Sequence, residues 1–313
     1  MERKRVLTNK AVVFLLAMFC CLLWGSAFPC IKLGCMFSGI SPDDTSSQIL
    51  YAGLRFILAG VIALLTGSLI EKKPLIIKAA SFSMALRLSL FQTILQYTFF
   101  YIGLSRSTGM KSSVITASNV FLSIIVSALV FRTEKLTARK IIGCLIGFSG
   151  IILINISGMS GGFRLTGEGF VFLAALSYAF SSGLTKKFSQ TEDPVLLSGW
   201  QFIIGGFFMT AVGILFGGDL DEINFKGVLM LIYLGFVSAA AFSVWGMLMK
   251  YNNVSTVSIF GFMNPIFGVI LSSVILYEKS PSGFGGTLAA LLLVAAGIIV
   301  VNKQGGKANT NNI

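Results

Sequence analysis

The chain contains no histidine, six prolines and twelve acidic residues, and no acidic residue falls inside a long apolar run. Asp and Glu sit in tails, loops or the ends of apolar stretches, as at Asp43, Asp44, Glu134, Glu168, Glu192, Asp219 and Glu278. A proton relay at membrane depth requires a titratable carboxylate or imidazole, so none is expected. The same shortage removes the base of a Ser-His hydrolase and the ligands of a zinc site. No enzyme activity, metal or cofactor is therefore expected. The five cysteines, Cys20, Cys21, Cys30, Cys35 and Cys144, lack metal-ligand spacing and read as small apolar packing residues. No Gly-Lys-Ser phosphate loop occurs, so the chain carries no ATP-binding unit.

What it does contain is apolar. Hydrophobic residues make up 55% and charged residues 12%, with a mean hydropathy of +0.87; a soluble chain carries about 25% charged residues. Residues 11–31 and 56–70 hold no charge. About 20 apolar residues match a hydrocarbon core of roughly 30 Å, so the protein is expected to be integral to a lipid bilayer. Breaks in the apolar runs predict ten spans, near 11–35, 49–70, 84–104, 112–131, 139–156, 168–187, 194–216, 227–249, 255–277 and 283–301. The basic segment 1–10 precedes a run too long for a signal-peptide core, so the first span is expected to stay.

The formal charge of +12 is not a nucleic-acid signature, because the basic residues gather in alternate short loops. With both termini placed inside, 17 Lys and Arg fall on the inner side and 6 on the outer, leaving Arg55 in the membrane. That bias predicts an N-in/C-in topology. Both termini would then be cytoplasmic, in a multi-pass protein of a prokaryotic plasma membrane.

The chain also resembles itself. "GLRFILAG" (53–60) matches "GWQFIIGG" (199–206), "FRTEK" (131–135) matches "ILYEK" (275–279), and "GIILI" (150–154) matches "GIIVV" (297–301). Arg55 precedes Glu134 by 79 residues and Gln201 precedes Glu278 by 77. "WGSAFPCIK" aligns with "YAFSSGLTK" (178–186), which sets Lys32 opposite Lys186. Five spans per copy is an odd number, so the second copy enters the membrane inverted. Inverted repeats are an architecture of secondary transporters, with a site between the repeats that is exposed to each side in turn. The expected fold is thus all-α and integral to the membrane, with ten transmembrane helices in two inverted five-helix repeats. These occupy 11–156 and 168–302, and a polar cytoplasmic tail follows at 303–313.

Trp24-Gly25-Ser26, Phe28, Lys32, Arg55, "FFYIGLSRSTG" (99–109), Glu134, Gly143, Gly150, Asn264-Pro265, Glu278 and Gly297 together resemble the EamA-type domain of the drug/metabolite transporter superfamily. The resemblance covers about residues 11–302. It implies a ten-helix carrier of small metabolites working by alternating access, with export the preferred direction. Two departures stand out: Asn119-Val120-Phe121 replaces the mid-span proline of the first repeat, and Gln201 stands where the first repeat has Arg55.

Arg55 is the sharpest candidate, about seven residues into its predicted span. It reads either as a binder of carboxylate or phosphate, or as a snorkelling residue or interhelix donor. Lys32 reads either as a pathway residue or as an interface anchor. Pro29 just before it frees the carbonyl of Gly25, which predicts a broken end to the first helix. Gln96, Tyr101, Asn119 and Asn264 are candidate hydrogen-bonding groups, Trp24, Tyr178 and Trp245 candidate aromatic walls, and Gln201 and Lys186 candidates for the inner half. Glu134 and Glu278 are expected to fix turns and complement helix N-termini. The missing carboxylates disfavour cationic cargo, so a small neutral, zwitterionic or anionic metabolite is expected, with an amino acid or related metabolite preferred. The sequence leaves a homodimer open. The competing reading is a membrane receptor or scaffold that transports nothing.

Overall fold

A computed structural model describes residues 2–107, 109–156, 163–277 and 283–303. Glu278, Ser280-Pro281 and the tail after Lys303 lie outside the described residues. Among those described, every regular element is helical.

A short helix α1 (Glu2–Leu7) precedes α2 (Lys10–Phe37) and α3 (Thr45–Glu71). Then follow α4 (Ala79–Ser89), a π-helical turn (Leu90–Leu95) and α5 (Gln96–Leu104), joined end to end, and α6 (Gly109–Leu129) and α7 (Ala138–Asn155). A π turn (Leu165–Gly169) leads into α8 (Phe170–Phe188), followed by α9 (Pro194–Leu215) and α10 (Phe225–Tyr251). The last part comprises α11 (Val254–Ser258), a 3₁₀ turn (Ile259–Phe262), α12 (Met263–Ile275) and α13 (Gly283–Asn302). Eight of these helical runs are long and apolar enough to cross a membrane: α2, α3, α6, α7, α9, α10, the joined run 254–275, and α13. The remaining two expected spans fall on helical runs interrupted or led by π turns, 79–104 and 165–188. Exposed apolar side chains such as Leu15, Leu65, Phe207 and Leu292 give the bundle a lipid-facing surface.

Several boundaries follow from local chemistry. The Asn9 side chain accepts from Ala11 N–H at 2.9 Å, Asp193 from Val195 N–H at 2.8 Å, and Asn224 from Lys226 N–H at 2.9 Å. Each supplies an acceptor to the unpaired N–H groups of a first turn. Thr137, read from sequence as the cap of the fifth span, does the same for Lys140 N–H at 3.4 Å.

The predicted break of the first helix does not occur. α2 runs without interruption from Lys10 to Phe37 through Pro29. Gly25 is a packing position, because a Cβ there would lie 2.4 Å from the Phe267 Cβ on α12. Ser26 Oγ donates to Leu23 O at 2.7 Å and lies 2.7 Å from the Tyr233 hydroxyl on α10. The Gly-Ser pair thus seats α2 between two neighbours. The irregular turns lie elsewhere, in the middle of 79–104 and just before Pro265, where the ring deprives the helix of an N–H and crowds the preceding turn.

With lipid outside, helix association relies on close packing at small residues. α3 packs along α9, α7 along α13, α2 against both α10 and α12, and α8 against both α5 and α6. At the α3–α9 crossing, a Cβ on Gly53 would lie 2.9 Å from Gly206 O, and one on Gly60 would lie 2.6 Å from Gly199 O. The α7–α13 seam places Gly143 3.0 Å from Gly297 O and Gly150 2.8 Å from Ala290 O by the same measure. The two ends of the bundle are separately tied. One end links Arg3 to Glu71 (2.7 Å), Ser81 to Glu192 (2.7 Å) and Asn252 to Leu7 O (2.8 Å). The other links Asn224 N–H to Phe37 O (3.2 Å) and Asp219 N–H to Ser47 (3.1 Å).

Candidate substrate-binding site

Helix α3 begins at Thr45, earlier than expected, so Arg55 lies ten residues in. That is roughly 15 Å along the axis at 1.5 Å per residue. The side chain is 3% exposed. Its guanidinium carbon stands 4.4 Å from the centroid of Phe56 and 5.4 Å from that of Tyr97. No carboxylate among the described residues pairs with it, and its Nε–H has no hydrogen-bond partner. Contact with two ring faces offsets about 1–2 kcal/mol of the burial. An uncompensated charge at this depth costs several.

Rings continue from there across the bundle. Phe56 stacks on Phe202 of α9 at 5.2 Å with the planes 6° apart. Phe202 meets Phe242 of α10 edge-on at 5.0 Å, Phe242 meets Trp24 of α2 at 5.0 Å, and Trp24 meets Trp245 at 4.9 Å. On the other side Phe56 touches Tyr97 at 4.5 Å, and Tyr97 lies 6.5 Å from Tyr101. Tyr178 of α8 packs against the same buried cluster.

The polar atoms on this wall are left open. Trp24 Nε1, Arg55 Nε, Gln96 Oε1, Gln201 Nε2, Trp245 Nε1 and Asn264 Oδ1 are buried without a protein partner. All six belong to residues singled out from the sequence. Buried polar groups in proteins are nearly always satisfied, and a concentration of exceptions marks a place for water or ligand.

The remaining candidates are placed differently. Gln201 is fully buried and its Oε1 accepts from Thr93 Oγ1 at 2.6 Å. Thr93 sits in the π turn of 90–95, so this bond ties α9 to the irregular stretch. Asn119 is half-buried on α6, and Tyr101 is buried. Lys186 holds the end of α10, donating to Asn252 O at 2.8 Å and Lys250 O at 3.2 Å; terminal carbonyls of a helix attract cations in this way. Lys32 is exposed, five residues before the end of α2. Neither lysine reaches the ring wall.

Glu134 engages both the helix it precedes and a distant one. Its Oε1 accepts from Ser255 N–H at 2.9 Å, its Oε2 accepts from the Ser255 hydroxyl, and it pairs with Lys140 at 2.6 Å. It therefore anchors the start of α11 to the α6–α7 connection.

Sequence reading missed Phe56, Phe202 and Phe242 as wall residues. The chain has 28 phenylalanines, so a single one carries no signal. The usable signal was positional: Phe56 and Phe202 occupy the same place in "GLRFILAG" and "GWQFIIGG".

A bundle of membrane-length apolar helices around a cluster of open polar groups defines the class of membrane transporters. The chain belongs to the EamA-like transporter family, whose model matches residues 11–156 and 165–303, and so to the drug/metabolite transporter superfamily. An uncharacterized transporter of Synechocystis sp. is 29% identical over 294 residues, 87% of this chain and 86% of that protein. The Bacillus subtilis uncharacterized transporter YvbV is 25% identical over 304 residues, 93% of this chain and 91% of that one. A chloroplastic WAT1-related protein of Arabidopsis thaliana is 27% identical over 207 residues; the match spans 61% of this chain and 49% of the plant protein. One solved crystal structure shares the fold, with a TM-score of 0.77 at 18% identity, over 94% of this chain and 99% of the other. The family and these relatives make this a multi-pass membrane transporter.

Proposed function

We propose that this transporter is a secondary carrier exporting a small neutral, zwitterionic or anionic metabolite by alternating access between two inverted five-helix units. The observation that carries this reading is the set of six open polar atoms contributed by α2, α3 and α5 of one unit and α9, α10 and α12 of the other.

Reciprocal contacts support the inverted repeat. Exchanging the matched motifs turns the Gly53–Gly206 approach into Gly199–Gly60, and Gly143–Gly297 into Ala290–Gly150; each member of both pairs is in contact. Phe56 and Phe202 exchange with one another and stack on what would be the axis. On this reading 79–104 and 165–188 complete ten spans. The end carrying Arg3, Lys135, Lys140 and Lys186 faces the cytoplasm, Lys32 stands at the outer mouth, and Lys186 at the inner. Trp24, Arg55, Gln96, Trp245 and Asn264 line the middle.

Tracer flux in proteoliposomes tests it, with neutral amino acids, monocarboxylates, sugars and a cationic dye as a panel. Saturable flux of a zwitterion, anion or neutral solute is expected. Saturable flux of the dye alone would overturn the argument from missing carboxylates, and silence across the panel would favour the receptor or scaffold.

A further inference from the structure

Hydroxyls aside, which both donate and accept, the open polar atoms at the wall lean towards donors. Arg55 Nε, Trp24 Nε1, Trp245 Nε1 and Gln201 Nε2 are N–H groups that only donate, against two acceptors, Gln96 Oε1 and Asn264 Oδ1. The formal charge at the wall is Arg55 alone. It is 3% exposed, lacks a carboxylate partner among the described residues, and rests on Phe56 and Tyr97.

We infer that Arg55 is the anchor for an organic monoanion, a carboxylate carried on a flat apolar body, and that this ion is the transported species. The inference rests on the carrier reading for the transport step only; binding stands apart from it. A guanidinium pairs with a carboxylate through two parallel N–H···O bonds, and one such pair leaves the site neutral. A phosphate dianion would leave a surplus negative charge in a low-dielectric interior, where unpaired ions are strongly disfavoured. Lys32 is exposed towards the end of α2 and Lys186 is engaged by the carbonyls of α10, so neither supplies a second cation at the wall. Phe56, Phe202 and Phe242 are packed on one another in the core, and the half-buried rings of Tyr97 and Trp24 beside them supply the surface for a flat body beyond the carboxylate.

Transport of such an ion moves one negative charge per cycle, with no histidine in the chain and no carboxylate paired with Arg55 among the described residues to move a proton with it. A membrane potential negative inside therefore drives it outward, by roughly 40-fold in concentration ratio per 100 mV. Export is then powered by the potential without a coupling ion.

The test uses the full-length protein carrying Trp200→Phe, so that fluorescence reports Trp24 and Trp245 alone. It is titrated in detergent with 3-phenylpropanoate, 3-phenylpropanamide, 3-phenylpropylamine and inorganic phosphate. Saturable quenching by the carboxylate is expected, with the amide, amine and phosphate at least about tenfold weaker. Arg55→Gln should weaken the carboxylate about 10- to 100-fold and leave the amide unchanged, while Arg55→Lys falls between. The inference is overturned if the amide or phosphate binds as well as the carboxylate, if the carboxylate does not bind, or if Arg55→Gln binds it undiminished. The comparison of acid with amide decides the matter even if Arg55→Gln fails to fold. Flux of 3-phenylpropanoate in proteoliposomes should then scale with a potassium–valinomycin potential. Binding with no flux would remove the carrier reading and keep the site; flux indifferent to potential would remove the electrogenic step.

Discussion

Replacing Gly206 with leucine is expected to lower the thermal midpoint of the detergent-purified protein by about 10 °C or to prevent its recovery as a monodisperse species. A Cβ at this position would lie 2.7 Å from the Ile57 backbone nitrogen and 2.8 Å from Gly53 O. Both are backbone atoms, so no rotamer change relieves the clash, and α3 and α9 must separate. Overpacking of this kind costs about 1–3 kcal/mol for small additions, and a leucine at a helix crossing belongs at the upper end or beyond it. That is a large part of a total stability of about 5–15 kcal/mol, at about 2–4 °C per kcal/mol. Separation would also part Phe56 from Phe202 at the centre of the ring wall, so binding should fall with stability. Gly285→Leu is the control, since nothing lies within 4 Å of a Cβ there. Equal midpoints for the two variants would refute the account of the α3–α9 crossing.

Glu134→Ala should have the second large effect, a loss of about 3–5 kcal/mol. The Glu134 side chain is 2% exposed and that of its partner Lys140 is 14% exposed. Removing one member of such a pair costs more than the pair contributes, and Lys140 would keep only its bond to Lys135 O at 2.7 Å. The change also removes two bonds to Ser255, leaving the first turn of α11 without its acceptor. Glu134→Gln, which retains an acceptor for Ser255 N–H, should lose less. The double variant Glu134→Ala/Lys140→Ala should be more stable than Glu134→Ala alone, because no orphan ammonium remains. A thermal double-mutant cycle measures this. A double variant that loses the sum of both single effects would show that the pair is not coupled.

These expectations differ in how far they could be read from the chain. The apolar runs mark the helices because bilayer thickness sets their length, and Thr137 marks the start of α7 because an acceptor must meet the first-turn N–H groups. Arg55 was conspicuous as a cation in an apolar run. Its ring neighbours were not, because apolar residues facing lipid and apolar residues facing the site look alike in a membrane sequence. Pro29 misled for a related reason: a proline frees a carbonyl, yet α2 continues through it, with Gly25 and Ser26 seated tightly against α12 and α10. The π turn at 90–95 left no residue signature, since its geometry is set by the packing of Thr93 against Gln201 and Gly205. Glu134 was readable as an acid that fixes a turn and complements helix N-termini, and it pairs with Lys140 of the adjacent α7; its second partner was not readable. Nothing in the local sequence shows that α11, more than a hundred residues away, supplies the N–H group.

The fourth helical run of the first unit is unbroken from Gly109 to Leu129, whereas its counterpart is divided into α11, a 3₁₀ turn and α12 before Asn264-Pro265. One arm is a stiff lever and the other has a joint. In the alternating-access cycle proposed above, the two half-steps would bend different amounts of backbone, so their barriers and rates would differ. A small molecule wedged at the joint, beside Gly261, would arrest one half-step and leave the other running. The transporter would then be held facing one side, with its cargo site open to that side alone.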